Sequence, residues 1–334
     1  MAFDPWDTRR SFRRYLERCY ERRNRAWRFT GSTAEELRRW QEEVRPQFLK
    51  LLGQPQEPGR LPTLIDRVTE EETAAYRRER LLYETIPDLY VPALLITPKP
   101  AQGPRPTVLC PPGHGQGMYQ VVDEDGLYKK YPWGLVERGF VVLVPEHVGF
   151  GLRTSESGDD PRANHTYYYH ALNLLGESAM GFLLFDLQRA LDLLATLPQV
   201  DADRIGCWGL SLGGEMTLLA AAADERIQVA CISGFLSSYQ SSFLDCGHCG
   251  CGYVFGLVQY LEHADIASLI VPRPLLVESP THDIFPLEAA HQAVSELRRL
   301  YHLCGVPERL EQDIFEAGHE ISGARAFDWF EQWL

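Results

Sequence analysis

The sequence predicts an α/β fold, a mostly parallel β-sheet with helices on both faces. Three observations carry this expectation. Beyond residue 106, short continuous apolar runs alternate with helical segments, the pattern of strands buried on both sides. Arg204–Gly214 reads as one such strand followed by Gly-x-Ser-x-Gly, and Thr217–Ala222 continues it as a small-residue helix. With 334 residues, 45% apolar and 24% charged, the chain can bury a sizeable core.

Composition narrows the function classes. A net charge of −13 argues against a nucleic-acid partner. Nowhere does an apolar run approach the roughly 18 residues of a membrane span, and Met1–Asp7 has no apolar signal core. Cytoplasmic localisation is therefore expected. Of the eight cysteines, Cys110, Cys207 and Cys231 sit inside strand-like runs as small hydrophobes. This is not a disulfide framework, and it fits a reducing compartment.

In chain order, residues 8–52 read as helical. Ser32-Thr33-Ala34-Glu35-Glu36 starts a second helix that ends near Gly53. The many arginines of this stretch read as solvated helix faces paired with Glu17, Glu21, Glu42 and Glu43. Residues 1–60 thus form a helical extension, closed by a Pro/Gly-rich linker at 54–63, and 61–334 form the main domain. Arg80–Glu84 and Tyr90–Thr97 flank the turn at Pro87-Asp88 and predict an antiparallel edge hairpin. Strands follow at Thr107–Cys110, Phe140–Pro145, Gln228–Ile232, Pro274–Val277 and Leu310–Phe315, with helices at Ala179–Leu197, Pro286–Tyr301 and Ala324–Leu334. Two long connections, about 151–177 and 233–268, break the rhythm as loop insertions of the kind that form lids or binding loops.

A serine hydroxyl is a poor nucleophile unless a base takes its proton and a third group orients the base. Ser211 stands at the apex of the tight turn. Asp283 follows the strand at 274–277 and His319 the strand at 310–315, so acid and base fall at strand ends in the order Ser, Asp, His. Glu278 is the alternative acid, and His282 and His302 are weaker candidate bases. The anion site for a reacting carbonyl falls to the backbone N–H of Leu212 and to the loop Pro111–Gly117, where His114 or Gly115 donates because Pro112 cannot. Glu146, His147 and Trp208 are weaker candidates for touching substrate, and a salt bridge from Glu146 to Arg153 is the competing reading for Glu146.

The run Cys246-Gly247-His248-Cys249-Gly250-Cys251 has metal-ligand residue types. Zinc sites draw ligand pairs from separated segments, however, and four ligands within six residues close a tetrahedron poorly. The run therefore reads as a packed loop. No metal and no cofactor is expected, since phosphate and dinucleotide loops are also missing from the sequence.

Pro112–Gly115, Gly139–Gly151, Val200–Gly206, Gly209–Gly213 and Pro272–Glu278 resemble the α/β-hydrolase superfamily, specifically its dienelactone hydrolase/acetyl xylan esterase-like branch. His248–Cys251 and Asp265–Leu269 are similar to that branch too. Departures are Glu146, where Asp-x-x-Gly-x-Gly is usual, and Pro112-Gly113, where His-Gly is commoner. The resemblance implies an α/β-hydrolase fold with an eight-stranded sheet, and ester hydrolysis by Ser211, Asp283 and His319. It also implies a small acyl group, acetyl on a carbohydrate being one case. A prolyl-peptidase-type amide hydrolase and a non-catalytic ligand-binding homologue are the alternatives. The expected partner is a small-molecule ester; oligomeric state is open.

Overall fold

The apolar runs become neighbouring strands of one sheet. The computed structural model describes residues 12–55, 61–100, 103–154 and 161–334, with the backbone alone at 161–164. The start of the predicted 8–52 helical stretch, residues 56–60 of the linker and residues 155–160 of the first insertion lie outside the described residues. Nine strands are ordered β1-β2-β3-β5-β4-β6-β7-β8-β9. They span Thr63–Glu72, Tyr76–Ile86, Leu89–Pro98, Arg105–Leu109, Val141–Pro145, Val200–Leu210, Ile227–Ser233, Leu275–Pro280 and Leu310–Phe315. From β5 to β9 the pairing is parallel, whereas β1, β2 and β3 pair antiparallel.

The ninth strand corrects the expected eight. It is β1, and it makes the predicted hairpin of β2 and β3 internal rather than an edge. Thr63–Glu72 is exposed along nearly its whole length, so apolar alternation could not reveal it. Ion pairs hold it instead, Arg67 to Glu79 at 2.6 Å and Glu72 to Arg77 at 3.0 Å. Charge and two register shifts suit an outer strand, because they discourage pairing with another chain.

Alternate residues of the central strands feed two apolar layers. Val141 and Leu143 face one layer, and Val142 and Val144 face the other. The first layer holds α2 (Ala34–Leu52), α6 (Ala179–Leu194), α7 (Leu212–Ala223) and α9 (Leu287–Leu303), after α1 (Arg13–Glu21) at the chain's start. The second holds α3 (Met118–Asp123), α4 (Tyr131–Glu137) and α10 (Ala326–Trp333).

The predicted capping start of α2 is present, with Glu36 N–H donating to Thr33 Oγ1 at 3.2 Å and Thr33 N–H to the Glu36 carboxylate at 3.0 Å. Leu37, Phe48 and Leu52 of this helix share the first apolar layer with the sheet. Among the arginines, Arg13 pairs with Glu17 and Arg38 with Glu42 on exposed faces. Arg25 turns inward instead, gripping Asp265 through two bonds of 2.7 Å.

The described parts of the insertions hold more regular structure than the loops expected. The first contains helix α5 (Pro161–Leu175), which ends on exposed Leu174 and Leu175 and so shows no clean apolar stripe in sequence. The second is a chain of short turns leading to α8 (His263–Ala267). Among the described residues, no helix is long and apolar enough to cross a membrane.

Candidate active site

β6 ends at Leu210, α7 begins at Leu212, and Ser211 turns the chain between them. Its φ of 62° lies in the left-handed region, a conformation that costs a non-glycine residue about 1–3 kcal/mol. The turn is locked from both sides. Ser211 N–H donates to Ser233 O at 3.1 Å, and Glu215 N–H donates to Ser211 O at 2.8 Å. Gly213 is required by close approach, since a Cβ there would stand 2.2 Å from Pro111 O. The same contact sets the loop after β4 against the serine turn.

Asp283 and His319 leave the carboxyl ends of β8 and β9, two and three strands along from β6. His319 Nδ1 lies 2.6 Å from Asp283 Oδ1. A carboxylate acceptor there favours a proton on Nδ1, which leaves Nε2 as a lone pair. Nε2 is buried and has no hydrogen-bond partner among the described residues. Gly234, with φ of 53°, lets the pair close over the end of β7. A Cβ at Gly234 would lie 3.1 Å from Asp283 Oδ2 and 3.3 Å from His319 Cε1.

The rival acid and base stand elsewhere. Glu278 is buried and accepts from Ser233 Oγ at 2.6 Å and from Gly323 N–H at 2.8 Å. His282 is exposed and pairs with Glu316. His302 lies on an exposed face of α9.

In the loop after β4, Gly113 N–H donates to Tyr128 Oη at 2.8 Å. The N–H groups of His114 and Gly115 have no acceptor among the described residues. Leu212, first in its helix, has an N–H without an intrahelical acceptor, at the positive end of the helix dipole.

The three weaker candidates for substrate contact are packed away. Glu146 is 1% exposed and ties two loops together, accepting from Met118 N–H at 3.0 Å and Leu152 N–H at 3.2 Å. Arg153 does not pair with its carboxylate. It bonds the Glu146 carbonyl and forms an ion pair with Asp186 at 2.6 Å. His147 is equally buried. Trp208 is fully buried, stacked near Phe330, and donates to Ser233 Oγ at 2.9 Å. It faces the layer of α4 and α10, not a cleft.

Sequence reasoning missed Tyr128 and His165, the second of which lies 3.4 Å from Cys249 Sγ. Neither sits in a motif, and only the meeting of distant loops gives them neighbours. A cleft of about 680 Å³ is lined by Tyr76, Lys99, Arg105 and Trp133. It opens at the amino end of β4, the edge opposite Ser211, so its size does not make it the reaction site.

Burial of these groups predicts how stability follows pH. Burial pushes Glu146 and Glu278 up from 4.5 to about 7, because the charged form loses its water. The folded chain then keeps protons that the unfolded chain releases. Their stabilisation is complete below about pH 4.5 and is lost as pH rises through about 7. Burial pushes His147 down from 6.5 to about 3 and His263 down to about 4. Their contribution is complete above about pH 6.5 and is lost on acidification. Thermal unfolding of Glu278→Gln should therefore show a smaller drop in melting temperature between about pH 5 and about pH 8 than the parent chain. An identical drop would count against a protonated Glu278.

The sheet and the serine turn on its carboxyl edge define an α/β-hydrolase. The chain belongs to the Abhydrolase family, whose model matches residues 16–243. It is 31% identical over 274 residues to "Putative hydrolase YtaP" of Bacillus subtilis (strain 168), across 78% of this chain and 87% of that protein. A "putative acetyl xylan esterase" from Bacteroides fragilis NCTC 9343 is similar in structure, with a TM-score of 0.78 at 17% identity over 97% of this chain and 90% of that one. A glucuronoyl esterase from Solibacter usitatus gives a TM-score of 0.61 at 16% identity over 90% of this chain and 92% of that one. At these identities the two structural likenesses show the fold.

Proposed function

We propose that this chain is a serine carboxylesterase acting on esters with small acyl groups, acetyl on a carbohydrate foremost. The observation that carries the reading is the 2.6 Å His319–Asp283 pair, with Nε2 left unbonded, on the same sheet edge as the strained Ser211. Ser211 Oγ attacks the ester carbonyl carbon while His319 Nε2 takes its proton. Asp283 holds the imidazole in the receptive tautomer and stabilises its charged form. The carbonyl oxygen gains negative charge, which the N–H groups of Leu212 and of His114 or Gly115 stabilise. His319 passes the proton to the leaving alcohol. A water then gives its proton to His319, attacks the acyl carbon and releases the acid, with Ser211 reprotonated.

The substrate class draws on the names of the structural neighbours, a "putative acetyl xylan esterase" and a glucuronoyl esterase. A cytoplasmic setting goes with a cysteine spacing that does not form a disulfide framework. The test is a series of p-nitrophenyl esters from acetate to octanoate, run beside acetylated xylo-oligosaccharide, methyl glucuronate and aminoacyl amides. The expected order has kcat/KM highest for acetate and falling with chain length. A preference for octanoate or for methyl glucuronate would overturn the acyl assignment. Faster amide cleavage would move the reading to a peptidase.

A further inference from the structure

Cys249 and Cys251 do not stand alone. The second insertion carries them to a point where two other segments meet. His114 arrives from the loop after β4, and His165 arrives on α5 of the first insertion. His114 Nε2 lies 3.1 Å from Cys251 Sγ, and His165 Nε2 lies 3.4 Å from Cys249 Sγ. The ligand atoms of His114, Cys249 and Cys251 all fall within 4.8 Å of one another. Around one tetrahedral zinc ion, with Zn–S near 2.3 Å and Zn–N near 2.0 Å, neighbouring ligand atoms sit about 3.3–3.8 Å apart. Three side chains are thus already near the spacing of one coordination sphere, and His165, which touches Cys249 alone among them, stands at its edge and has to move inward to complete it.

The surroundings fit a built site. Cys251 is fully buried, and His165 is buried with its ring stacked on Phe150 at 5.1 Å and 17°. Gly149 makes room for it, since a Cβ there would lie 2.6 Å from His165 Cβ. Beside the pair of thiols, the buried carboxyl of Glu215 has its Oε1 3.3 Å from where a Cβ of Gly252 would stand. Its Oε2 has no hydrogen-bond partner among the described residues. A buried carboxylate oxygen without a partner is costly, and a neighbouring dication offsets that cost.

We infer that Cys249, Cys251, His114 and His165 form a tetrahedral binding site for a thiophilic divalent cation, zinc by ligand type. Two sulfur and two imidazole ligands suit zinc and disfavour magnesium or calcium. The objection raised by sequence spacing, that one six-residue run cannot supply a tetrahedron, falls away because two ligands come from elsewhere. Neither Cys246 nor His248 is needed: Cys246 donates to Ser242 O at 2.7 Å, and the His248 ring packs on Phe243 at 4.5 Å. Four protein ligands close the coordination sphere, so the ion braces structure and has no open position for substrate. It would join both insertions to the loop whose backbone faces Ser211. The inference does not depend on the ester-hydrolase reading.

The full chain, expressed with zinc in the medium and desalted, should retain about one zinc per chain by elemental mass analysis. Cobalt(II) added to metal-stripped protein should give the intense thiolate charge-transfer and tetrahedral d–d absorption of a Cys2His2 site. Cys249→Ser, Cys251→Ser and His165→Asn should each weaken retention and alter the spectrum, while Cys246→Ser leaves both unchanged. Should the ligand variants fail to fold, competition between the parent chain and a chromophoric zinc chelator still decides the matter. Substoichiometric zinc with no cobalt–thiolate band, binding untouched in the folded Cys251→Ser variant, or a Cys249–Cys251 disulfide in the protein purified under reducing conditions would each overturn the proposal.

Discussion

Ser211→Ala should lower kcat toward p-nitrophenyl acetate by about 10⁵-fold or more, with the fold intact. The size follows from the chemistry. In the proposed mechanism Oγ forms the acyl-enzyme, and its removal leaves binding and an anion site acting on free water. Stability should change little, because alanine carries the same Cβ at the same φ of 62° and meets the same neighbours. The backbone bonds that lock the turn, Ser211 N–H to Ser233 O and Glu215 N–H to Ser211 O, do not involve the hydroxyl. A fluorophosphonate probe should label the parent chain on Ser211 and leave the variant unlabelled. Undiminished turnover by a folded Ser211→Ala variant would sink the serine mechanism. A parent chain that neither turns over esters nor takes the probe would instead point to a ligand-binding homologue.

What could be read from sequence was whatever depends on local signals. The turn at Ser211 was legible because strand, Gly-x-Ser-x-Gly and small-residue helix are contiguous, and the structure adds Pro111 O as the reason Gly213 has no side chain. That Asp283 and His319 come together was legible because strand ends in a parallel sheet fall on one edge. Strand β1 was not, because charge pairs rather than a buried face hold it. Trp208 was misread because an apolar residue next to the turn says nothing about which layer it faces. Period-two alternation within β6 sends Cys207 to one layer and Trp208 to the other. Glu146 was read through its nearest cation in sequence, yet backbone N–H groups from two loops are its partners. The meeting of His114, His165, Cys249 and Cys251 could not be read at all, since it needs three segments folded onto one another.

Asp283→Asn should cost about 10⁴-fold in kcat, and Glu278→Gln should cost far less, which separates the two acids that sequence left open. Asparagine fits the space of aspartate, so the loss has to come from the imidazole. Asp283 Oδ1 can only accept, which holds the proton on His319 Nδ1 and keeps Nε2 free for the serine proton. An asparagine amide can present its NH2 to Nδ1 instead, and the ring then carries its proton on Nε2, where it cannot serve as base. The charge that stabilises the imidazolium is lost as well. Glu278 has another task. Its oxygens are taken by Ser233 Oγ and by the N–H groups of Ser322 and Gly323, so it ties the ends of β7 and β8 to the segment that follows His319. Glutamine there still accepts through its carbonyl, and the pH dependence of stability should change more than the rate. If folded Glu278→Gln lost as much activity as Asp283→Asn, the orienting role would pass to Glu278, acting through Ser233 and the loop rather than on the ring.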